Sequence, residues 1–585
     1  MRHELIDTAL GNTAADLVVE RSQLLDVYTG EILEETDVAV KGKRIALVGD
    51  AEHCVGENTE IVDARGIFLT PGLLDAHVHV ESSMVTVTRF AELVLPKGTT
   101  GAFIDPHEIA NVLGVRGVKL MYEEAKNIPL KVFFEIPSSV PSAPALETTG
   151  AEIGWRDVEE LLGLNDVVGL GEVMNYLGVL IKDEKLDREI EAAIVQGKVV
   201  EGHAPSLLGK ELNAYTAAGV MSDHEASTPE EALQRLRLGM RLQIREGSTS
   251  KDLATLIRPI LRLGLDTRRC LLATDDRNSL DLLEEGHMDF VVRRAVEEGV
   301  DPVQAVQMAT LNTAEYFGVD RDVGSISPGR FADILLVESL EDFRAKVVII
   351  DGVPIASNGR LLRGLETPQY PRFAKDTMNL REVKPEDLEI RTPLDAQRVK
   401  VRVIGIVKDQ ILTEHRTLWL DVEEGLLKGN PKKDLSKVVV ADRHSGTGNI
   451  GLGFVQGFGL ETGAMASSVS HDAHNVTAVG MRDVDIALAI NSVKRADGGL
   501  VAVKDGRVLE LLELPIAGLM SDKPIWEVSH RLSGLRQAAR SLQVEIDSPF
   551  MILSFLSLAV VPELRITDRG LVDVKEYSFV DIVVG

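Results

Sequence analysis

The chain has 585 residues, of which 44% are hydrophobic and 4% aromatic, and its formal net charge is −28. Such a length can hold about two to four domains with sizeable cores. The acidic balance, without any basic run, argues against a nucleic-acid partner, and the few aromatic residues argue against a surface that stacks single-stranded bases. The sequence shows neither a membrane-spanning run nor a secretion signal, so we expect no membrane partner. Cys54 and Cys270 form no Cys-x-x-Cys motif, which is typical of a cytoplasmic protein without disulfides or a cysteine-rich metal site.

Residues 1–66 alternate apolar and polar positions between turn signals, which predicts short antiparallel strands of a small β-sandwich. From residue 67 to residue 320 the pattern changes to short apolar runs separated by amphipathic helical segments. Continuous apolar strands that alternate with helices indicate a parallel sheet covered on both faces, and eight such runs match a TIM-type (β/α)8 barrel. The predicted strands are Phe68–Val78, Gly98–Asp105, Lys131–Ser138, Val167–Val173, Val199–Ala204, Gly219–His224, Arg241–Glu246 and Cys270–Asp275.

The remaining segments complete an α/β architecture around the predicted barrel. Residues 321–365 resemble the N-terminal segment in their short-strand pattern, so we expect them to form the second part of one discontinuous β-sandwich. Residues 366–395 are polar and contain prolines, as in a linker. Residues 396–585 mix strand and helix patterns and predict an additional C-terminal α+β domain.

Histidines and acidic residues lie at the ends of five of the predicted barrel strands. His77 and His79 are separated by one residue, so both imidazoles point to the same face of their strand. At the carboxyl end of a barrel strand that direction is the mouth, where catalytic groups gather. Imidazole and carboxylate groups at one point suit a divalent metal, and a shared carboxylate would hold two metals close together. The predicted metal ligands are His77, His79, Glu172, His203, His224 and Asp275.

The pattern leaves the membership of this set open at two places. Asp276 adjoins Asp275, and Asp223 and Glu225 flank His224. Each residue alone could be a buried or solvated strand-end group, but suitable residues at five strand ends favour one shared site.

Longer motifs around these residues are more specific. They are DAHVHVESSM (75–84), DPHEIANVLG (105–114), EGHAPSL (201–207), MSDHEA (221–226) and ATDDR (273–277). Following a β-rich N-terminal segment, they resemble the adenine deaminases of bacteria and archaea, a branch of the amidohydrolase superfamily of metal-dependent barrels. The resemblance extends from about residue 15 to the C-terminus. Many binuclear relatives carry a carboxylated lysine on the fourth strand, whereas Glu172 stands there in this chain, and the adenine deaminase branch is similar in using a glutamate.

The resemblance implies an enzyme of purine salvage or adenine catabolism that hydrolyses adenine to hypoxanthine and ammonia through a metal-activated hydroxide attacking C6. It also implies a homodimer or a larger homo-oligomer. Manganese or iron is the expected metal, with zinc as an alternative. The implied ligands are His77, His79, Glu172 and Asp275 for one metal, and Glu172, His203 and His224 for the other.

Further roles are implied for acidic and histidine residues near the metals. Asp275 would take the proton of the attacking hydroxide and pass it to the departing ammonia, with Glu172 as a second catalytic residue. Another group must protonate the purine ring, although each alternative could instead orient a metal ligand. The candidates are Glu81, His107, Glu108 and Glu225, and Glu108 and Glu225 are also predicted to bind substrate.

The segment SVSHDAHN (468–475) is more polar than a strand end requires. We predict that it caps the barrel mouth, from the same or a neighbouring subunit, and binds substrate through His471, Asp472 and His474. The alternative is a turn held by Asx-type hydrogen bonds.

Two other functions compete with adenine deamination. A cyclic amidohydrolase that cleaves a ring amide, as dihydroorotase and hydantoinase do, is disfavoured by Glu172 and by the segment 105–114. A barrel that has lost its metals and acts as a binding protein is disfavoured by the full ligand set. Gly446, Gly448 and Gly451 spell G-x-G-x-x-G, but the glycine-rich sequence after them does not start a helix, so we predict a loop and no dinucleotide site.

Overall fold

The computed structural model describes residues 2–392, 397–407 and 410–584. Its N-terminal part is one helix followed by the strands of a first sheet. These elements are α1 (Arg2–Ala9), β1 (Leu17–Asp26), β2 (Glu31–Lys41), β3 (Arg44–Gly49), β4 (Glu60–Asp63) and β5 (Phe68–Pro71). Strand β1 pairs antiparallel with β2 and parallel with β4 and β5. Gly30, at φ 77°, supplies the left-handed conformation that the β1–β2 turn requires.

The chain changes from one sheet to the next at Gly72. The sequence predicts one strand over Phe68–Val78, but the structure divides it into β5 and a new strand, β6 (Leu73–Val78). Strand β5 pairs with β1, whereas β6 pairs with the strand that begins at Thr99. A side chain is excluded at the break, because a Cβ on Gly72 would lie 2.0 Å from Thr100 Oγ1.

Each predicted barrel strand contains an observed parallel strand, in a stretch of the chain that is described without gaps. They are β6, β7 (Thr99–Ile104), β8 (Lys131–Pro137), β9 (Val167–Val173), β10 (Val199–Gly202), β11 (Ser222–Asp223), β12 (Arg241–Arg245) and β13 (Cys270–Ala273). The strands form two parallel sheets, ordered β10-β9-β8-β7-β6 and β11-β12-β13. The sheets meet at both edges, since Val78 forms a parallel bridge with Asp275 and Met221 N donates to Val200 O at 3.1 Å.

Amphipathic helices connect the parallel strands and share one apolar core with them. In the helix over residues 253–262, for example, Leu256, Ile257 and Ile260 are buried on one side. The helices are α2 (Val87–Val94), α3 (His107–Leu113), α4 (Val115–Ala125), α5 (Trp155–Leu162), α6 (Tyr176–Ile181), α7 (Glu184–Val195), α8 (Gly209–Ala217), α9 (Pro229–Arg237), α10 (Leu253–Arg262), α11 (Ser279–Glu284), α12 (Met288–Glu297), α13 (Pro302–Met308) and α14 (Leu311–Tyr316).

The first sheet is completed by a distant part of the chain. Its further strands are β14 (Ile334–Val337), β15 (Ala345–Ile350), β16 (Val353–Ser357) and β17 (Arg360–Leu361). Strand β14 pairs antiparallel with β5, which gives the order β17-β16-β15-β14-β5-β1-β2-β3, with β4 beside β1. One sheet therefore draws on both segments that the sequence assigns to a discontinuous β-sandwich.

Residues 366–392 pack against the C-terminal part, although their composition predicts a linker. Leu380, Val383 and Leu388 are buried among apolar side chains of the C-terminal sheet. The boundary predicted between residues 395 and 396 lies outside the described residues.

The C-terminal part combines strands and helices. Its elements are α15 (Arg372–Lys375), β18 (Ile390–Arg391), β19 (Arg398–Ile406), β20 (Thr413–Asp421), β21 (Leu426–Leu427), β22 (Leu435–Ala441), β23 (Ile450–Gln456), β24 (Ala464–Ser467), β25 (Val476–Gly480), α16 (Asp483–Arg495), β26 (Gly499–Lys504), β27 (Arg507–Glu513), α17 (Ile525–Ser541), α18 (Pro549–Phe555), β28 (Leu564–Thr567), β29 (Gly570–Asp573), β30 (Ser578–Val580) and β31 (Val583–Val584). Its main sheet is mixed and has the order β20-β19-β23-β22-β25-β24-β26-β27. The glycine motif at residues 446–451 leads into β23, a strand, where a dinucleotide fingerprint would need a helix. Among the described helices, none has the length and apolar character needed to cross a membrane.

Candidate active site

The predicted metal ligands converge where the parallel strands end, and we call them the strand-end cluster. Its members are His77, His79, Glu172, His203, His224 and Asp275, each at most 6% exposed. Asp275 follows β13 with φ 56°, a conformation uncommon for a non-glycine residue. Its N–H donates to His77 O at 3.0 Å, so the edge contact between β13 and β6 holds this turn in place.

Glu172 joins two pairs of histidines. Its Oε1 lies 3.3 Å from His77 Nε2 and 2.9 Å from His79 Nε2. Its Oε2 lies 2.7 Å from His203 Nδ1 and 3.4 Å from His224 Nε2. Burial opposes ionisation of this carboxyl, but the charges of His224 and His79 and a hydrogen bond with His203 hold its pKa well below the usual value. Each oxygen of an ionised carboxylate therefore faces one histidine pair.

The spacing within each histidine pair suits a metal ion. His77 Nε2 and His79 Nε2 lie 3.1 Å apart, and His203 Nδ1 and His224 Nε2 lie 3.2 Å apart. With metal–nitrogen bonds of about 2.0–2.1 Å, two nitrogens of a tetrahedral site lie about 3.3 Å from each other. Asp275 extends the first pair, since its Oδ1 lies 3.3 Å from His79 Nε2. The donor atoms of this chain therefore fit a divalent metal at each pair.

The outer nitrogens of the first pair are held by protein groups. His77 Nδ1 lies 2.9 Å from Glu201 Oε2, and His79 Nδ1 donates to the Asp105 carbonyl oxygen at 3.0 Å. A hydrogen on each Nδ1 leaves the lone pair of each Nε2 facing Glu172, as metal ligation requires. In the described structure, His203 Nε2 and His224 Nδ1 have no hydrogen-bond partner.

A buried arginine that the sequence-based prediction missed completes one side of the cluster. Arg245 lies 3.0 Å from Asp275 Oδ2 through Nη1 and 2.8 Å from Asp252 Oδ2 through Nε. It also binds both carboxylate oxygens of Glu225, one of them at 3.1 Å from Nη2. Burial opposes ionisation of Asp275, but its hydrogen bond with His79 and the charge of Arg245 hold its pKa well below the usual value. The signal was available in the sequence, because Arg245 lies one residue before the end of the seventh predicted strand, Arg241–Glu246, and other strands carry predicted ligands near their ends.

Glu225, predicted to bind substrate, is thus the ion-pair partner of Arg245. Its Oε1 also lies 3.9 Å from both His203 Nδ1 and His224 Nε2. The structure therefore brings Glu225 to the edge of the strand-end cluster.

A second group of buried residues faces the first, and we call it the cap cluster. Its members are Glu81, His107, Glu108, His471 and Asp472, each at most 3% exposed. His107 connects the two clusters, since its Nδ1 lies 3.5 Å from Glu172 Oε1 and its Nε2 lies 3.6 Å from Asp472 Oδ1. His471 Nδ1 lies 3.7 Å from Glu108 Oε1. The segment 468–475 therefore reaches the site from within the same chain.

The cap cluster contains polar atoms that lack partners among the described residues. They are Glu81 Oε2, His107 Nδ1, Glu108 Oε2, His471 Nε2 and Asp472 Oδ2. Burial, aided by the charge of Glu108, raises the pKa of Glu81 to about 8. Burial alone would lower the pKa of His107, but its hydrogen bond with Asp472 raises it to about 10. Because buried polar groups are normally satisfied, this cluster points to a ligand with several donors and acceptors.

Residues around the cap cluster hold it in place. Ser82 Oγ donates to Glu108 Oε1 at 2.8 Å and also hydrogen-bonds with Asp276. His474, predicted to bind substrate, accepts a hydrogen bond from Ser470 N at 3.1 Å, and its ring centroid lies 5.5 Å from that of His471. The segment is thus a turn as well as a cover, and His474 supports His471.

Comparison with known proteins identifies the family of the chain. Residues 68–355 match the model of the amidohydrolase family, and residues 410–578 match that of the adenine deaminase C-terminal domain. The adenine deaminase of Moorella thermoacetica is 48% identical over 584 residues, which are 100% of this chain and 98% of that protein. The chain belongs to the adenine deaminase family. The adenine deaminases of Clostridium botulinum and Mesorhizobium japonicum are each 44% identical to it, over 97% of their own lengths.

Solved structures are more distant. That of a β-aspartyl dipeptidase from Fervidobacterium islandicum AW-1 has a TM-score of 0.45 at 16% identity, covering 59% of this chain and 97% of that one. This likeness is too remote to carry an argument.

Proposed function

We propose that the chain hydrolyses adenine to hypoxanthine and ammonia. The observation that carries this proposal is the position of Glu172, with one carboxylate oxygen toward each histidine pair and His107 of the cap cluster beside it. Relatives that are 44–48% identical along the whole chain are adenine deaminases. The family and the geometry therefore point to the same chemistry.

The strand-end cluster would hold two divalent metals, with Glu172 shared between them. The first would lie at His77, His79 and Asp275, and the second at His203 and His224. Imidazole and carboxylate donors suit manganese, iron or zinc, and we favour manganese or iron. When bound, such a pair supplies a water nucleophile activated at neutral pH and polarises the group under attack.

Asp275 is the residue best placed to move protons during hydrolysis. Its Oδ1 faces the first histidine pair, while Arg245 holds Oδ2 at 3.0 Å and so fixes the plane of the carboxylate. An ionised carboxylate in this position can accept a proton from the attacking water and deliver it to the leaving amine. Arg245 would then be a positioning residue for Asp275.

The cap cluster would bind the purine ring. Its unpartnered atoms include carboxylate oxygens of Glu108 and Asp472, which can accept from ring N–H groups, and histidine nitrogens that can donate or accept. Glu81 and His107 are the candidates for protonating the ring, because His107 lies beside Glu172 and Glu81 is close enough to feel the charge of His79. A flat heterocycle with several donors and acceptors matches this set better than an aliphatic amide does.

We also propose that the two parallel sheets are arcs of one closed (β/α)8 barrel. The contacts at both sheet edges support this closure. The predicted domain boundaries, homo-oligomer and cytoplasmic location stay predictions.

The test is ammonia release by protein loaded separately with manganese, iron(II) and zinc. Substrates would include adenine, guanine, cytosine, adenosine and dihydroorotate. We expect turnover of adenine alone, with about two metals per chain by elemental analysis. Hydrolysis of dihydroorotate without turnover of adenine would replace the proposal by the cyclic amidohydrolase alternative.

A further inference from the structure

A pair of buried carboxyl groups lies inside the strands beneath the strand-end cluster, where the proposed mechanism uses neither. Glu135 is in β8 and Glu201 is in β10, on either side of β9, which carries Glu172. Both glutamates are 0% exposed. Since buried carboxyl groups are costly unless paired, their presence at this place in the fold requires an explanation.

Glu201 contacts a predicted metal ligand directly. Its Oε2 lies 2.9 Å from His77 Nδ1, so it receives the hydrogen of the nitrogen that faces away from Glu172. Its Oε1 accepts a hydrogen bond from Gln243 Nε2, which also donates to Ala76 O at 3.1 Å. Both oxygens of Glu201 are therefore held, one by the ligand and one by β12.

Glu135 is the other buried carboxyl group of this pair. Within the described structure, neither of its carboxylate oxygens has a hydrogen-bond partner. Burial and the charge of Glu201 raise the pKa of Glu135 well above the usual value. The contacts that hold Glu201 are therefore those with His77 and Gln243.

We propose that Glu201 is a positioning residue for His77 and that Gln243 is the donor that holds Glu201 in place. By accepting the hydrogen of His77 Nδ1, Glu201 fixes both the tautomer and the ring orientation of the predicted ligand. Gln243 prevents the Glu201 carboxylate from rotating away. The inference rests on the metal site proposed above.

The test measures metal affinity of the apoprotein rather than turnover. Manganese and zinc would be titrated against a chelator into wild type, Glu201→Leu, Glu201→Gln and Glu135→Gln. Removing an outer partner of a metal-bound histidine weakens metal binding about 10–100-fold, which is the loss expected for Glu201→Leu at one of the two sites. Glu201→Gln keeps an acceptor for His77 but sets its own NH₂ against that of Gln243, so we expect partial rescue. Glu135→Gln changes the neighbouring buried glutamate and leaves the contact between Glu201 and His77 in place, so it should bind metal about as tightly as wild type.

Glu189→Gln is the matched control. Glu189 is also a buried glutamate, but it lies on α7 and pairs with Lys185 at 3.2 Å. Circular dichroism and the thermal midpoint of each apoprotein would show whether a variant is folded. If Glu201→Leu does not fold, Glu201→Gln still tests the inference, because glutamine keeps the size of the side chain.

The outcomes separate the inference from the proposed function. Wild-type protein that binds no metal tightly would overturn the metal site and the inference together. Wild-type binding with unchanged affinity in both Glu201 variants would overturn the positioning role alone. A Glu135→Gln variant that loses as much affinity as Glu201→Leu would also overturn the positioning role, because the loss would then not depend on the contact between Glu201 and His77.

Discussion

The strand-end cluster and the cap cluster are both buried, but their polar atoms are satisfied to different extents. In the strand-end cluster, Glu172 and Asp275 have lowered pKa values because histidines and Arg245 face them at hydrogen-bond or ion-pair distances. In the cap cluster, the pKa of Glu81 is raised to about 8, and two pairs of side chains stand 3.6–3.7 Å apart with unpartnered atoms. The first arrangement pairs its charges within the protein, whereas the second has polar atoms that a ligand with its own donors and acceptors can satisfy.

The largest expected effect comes from removing the shared carboxylate. Glu172→Gln would lose the charge between the histidine pairs and replace one acceptor oxygen by a donor. We expect kcat/KM for adenine to fall at least about 10³-fold, because several kcal/mol of electrostatic stabilisation depend on the metals and each 1.36 kcal/mol is tenfold. Metal content, measured by elemental analysis, should fall with it. Full metal content and activity in this variant would remove the distinction between the clusters.

The next effect concerns the guanidinium group of Arg245 beside the strand-end cluster. Arg245→Met would leave Glu225, Asp252 and Asp275 without their shared partner in a buried place. Breaking a buried ion pair in this way costs about 3–5 kcal/mol in the free energy of unfolding, which denaturant titration of the apoprotein would measure.

Arg258→Met is the control for that measurement. Arg258 pairs with Glu298 at the surface, where its side chain is 67% exposed, and such pairs contribute about 0–1 kcal/mol. Equal denaturation midpoints for the two variants would contradict the role given to Arg245.

The convergence of the strand-end cluster could be predicted from the sequence because two simple rules place its residues. Side chains alternate along a strand, so His77 and His79 share a face, and parallel strands of a barrel end at one mouth, so His203 and His224 join them. Glu172 followed from the same rule. The cover by His471 and Asp472 rested on the polarity of one short segment and on the family resemblance.

The missed residues depend on packing between distant strands. Arg245 and Glu201 contact partners on other strands. The two-residue alternation of side chains along a strand predicts which face a side chain lies on, but not which residue of another strand it contacts. The prediction of one continuous first strand was wrong for a local reason. Gly72 looks like part of an apolar run in the sequence, but it packs closely against Thr100 at the point where the chain passes from one sheet to the next.

Asp472 tests whether the cap cluster has a function separate from that of the strand-end cluster. Asp472→Asn would remove the charge that faces His107 at 3.6 Å and turn one acceptor oxygen into a donor. We expect kcat/KM to fall about 10²-fold, within the range of a group that positions or transfers a proton, while two metals stay bound. Asp505→Asn, at an exposed ion pair with Arg482, is the control. Loss of metal from Asp472→Asn would show that the cap cluster is part of the metal site.

The smallest effect concerns the acid beside the cap cluster. Glu147 is 2% exposed, accepts from Ala143 N at 2.9 Å, and has a pKa of about 8 because of burial and the charge of Asp472. Between the ordinary value of 4.5 and about 8, the unfolded chain releases a proton that the folded chain keeps, so rising pH favours unfolding. Below this pH range Glu147 is protonated in both the folded and the unfolded chain, and above it Glu147 is ionised in both.

Glu147→Gln carries no such proton, so wild type should lose stability relative to this variant as the pH rises. From pH 6.5 to pH 8.5 we expect a relative change of about 2 kcal/mol in the free energy of unfolding, measured by denaturant titration at both values. Glu189→Gln should show the same sign with a smaller change, because burial raises the pKa of Glu189 only to about 7. A difference between wild type and Glu147→Gln that does not vary with pH would mean that Glu147 is ionised in the folded chain. The side of the site next to the cap would then hold charge as the strand-end cluster does.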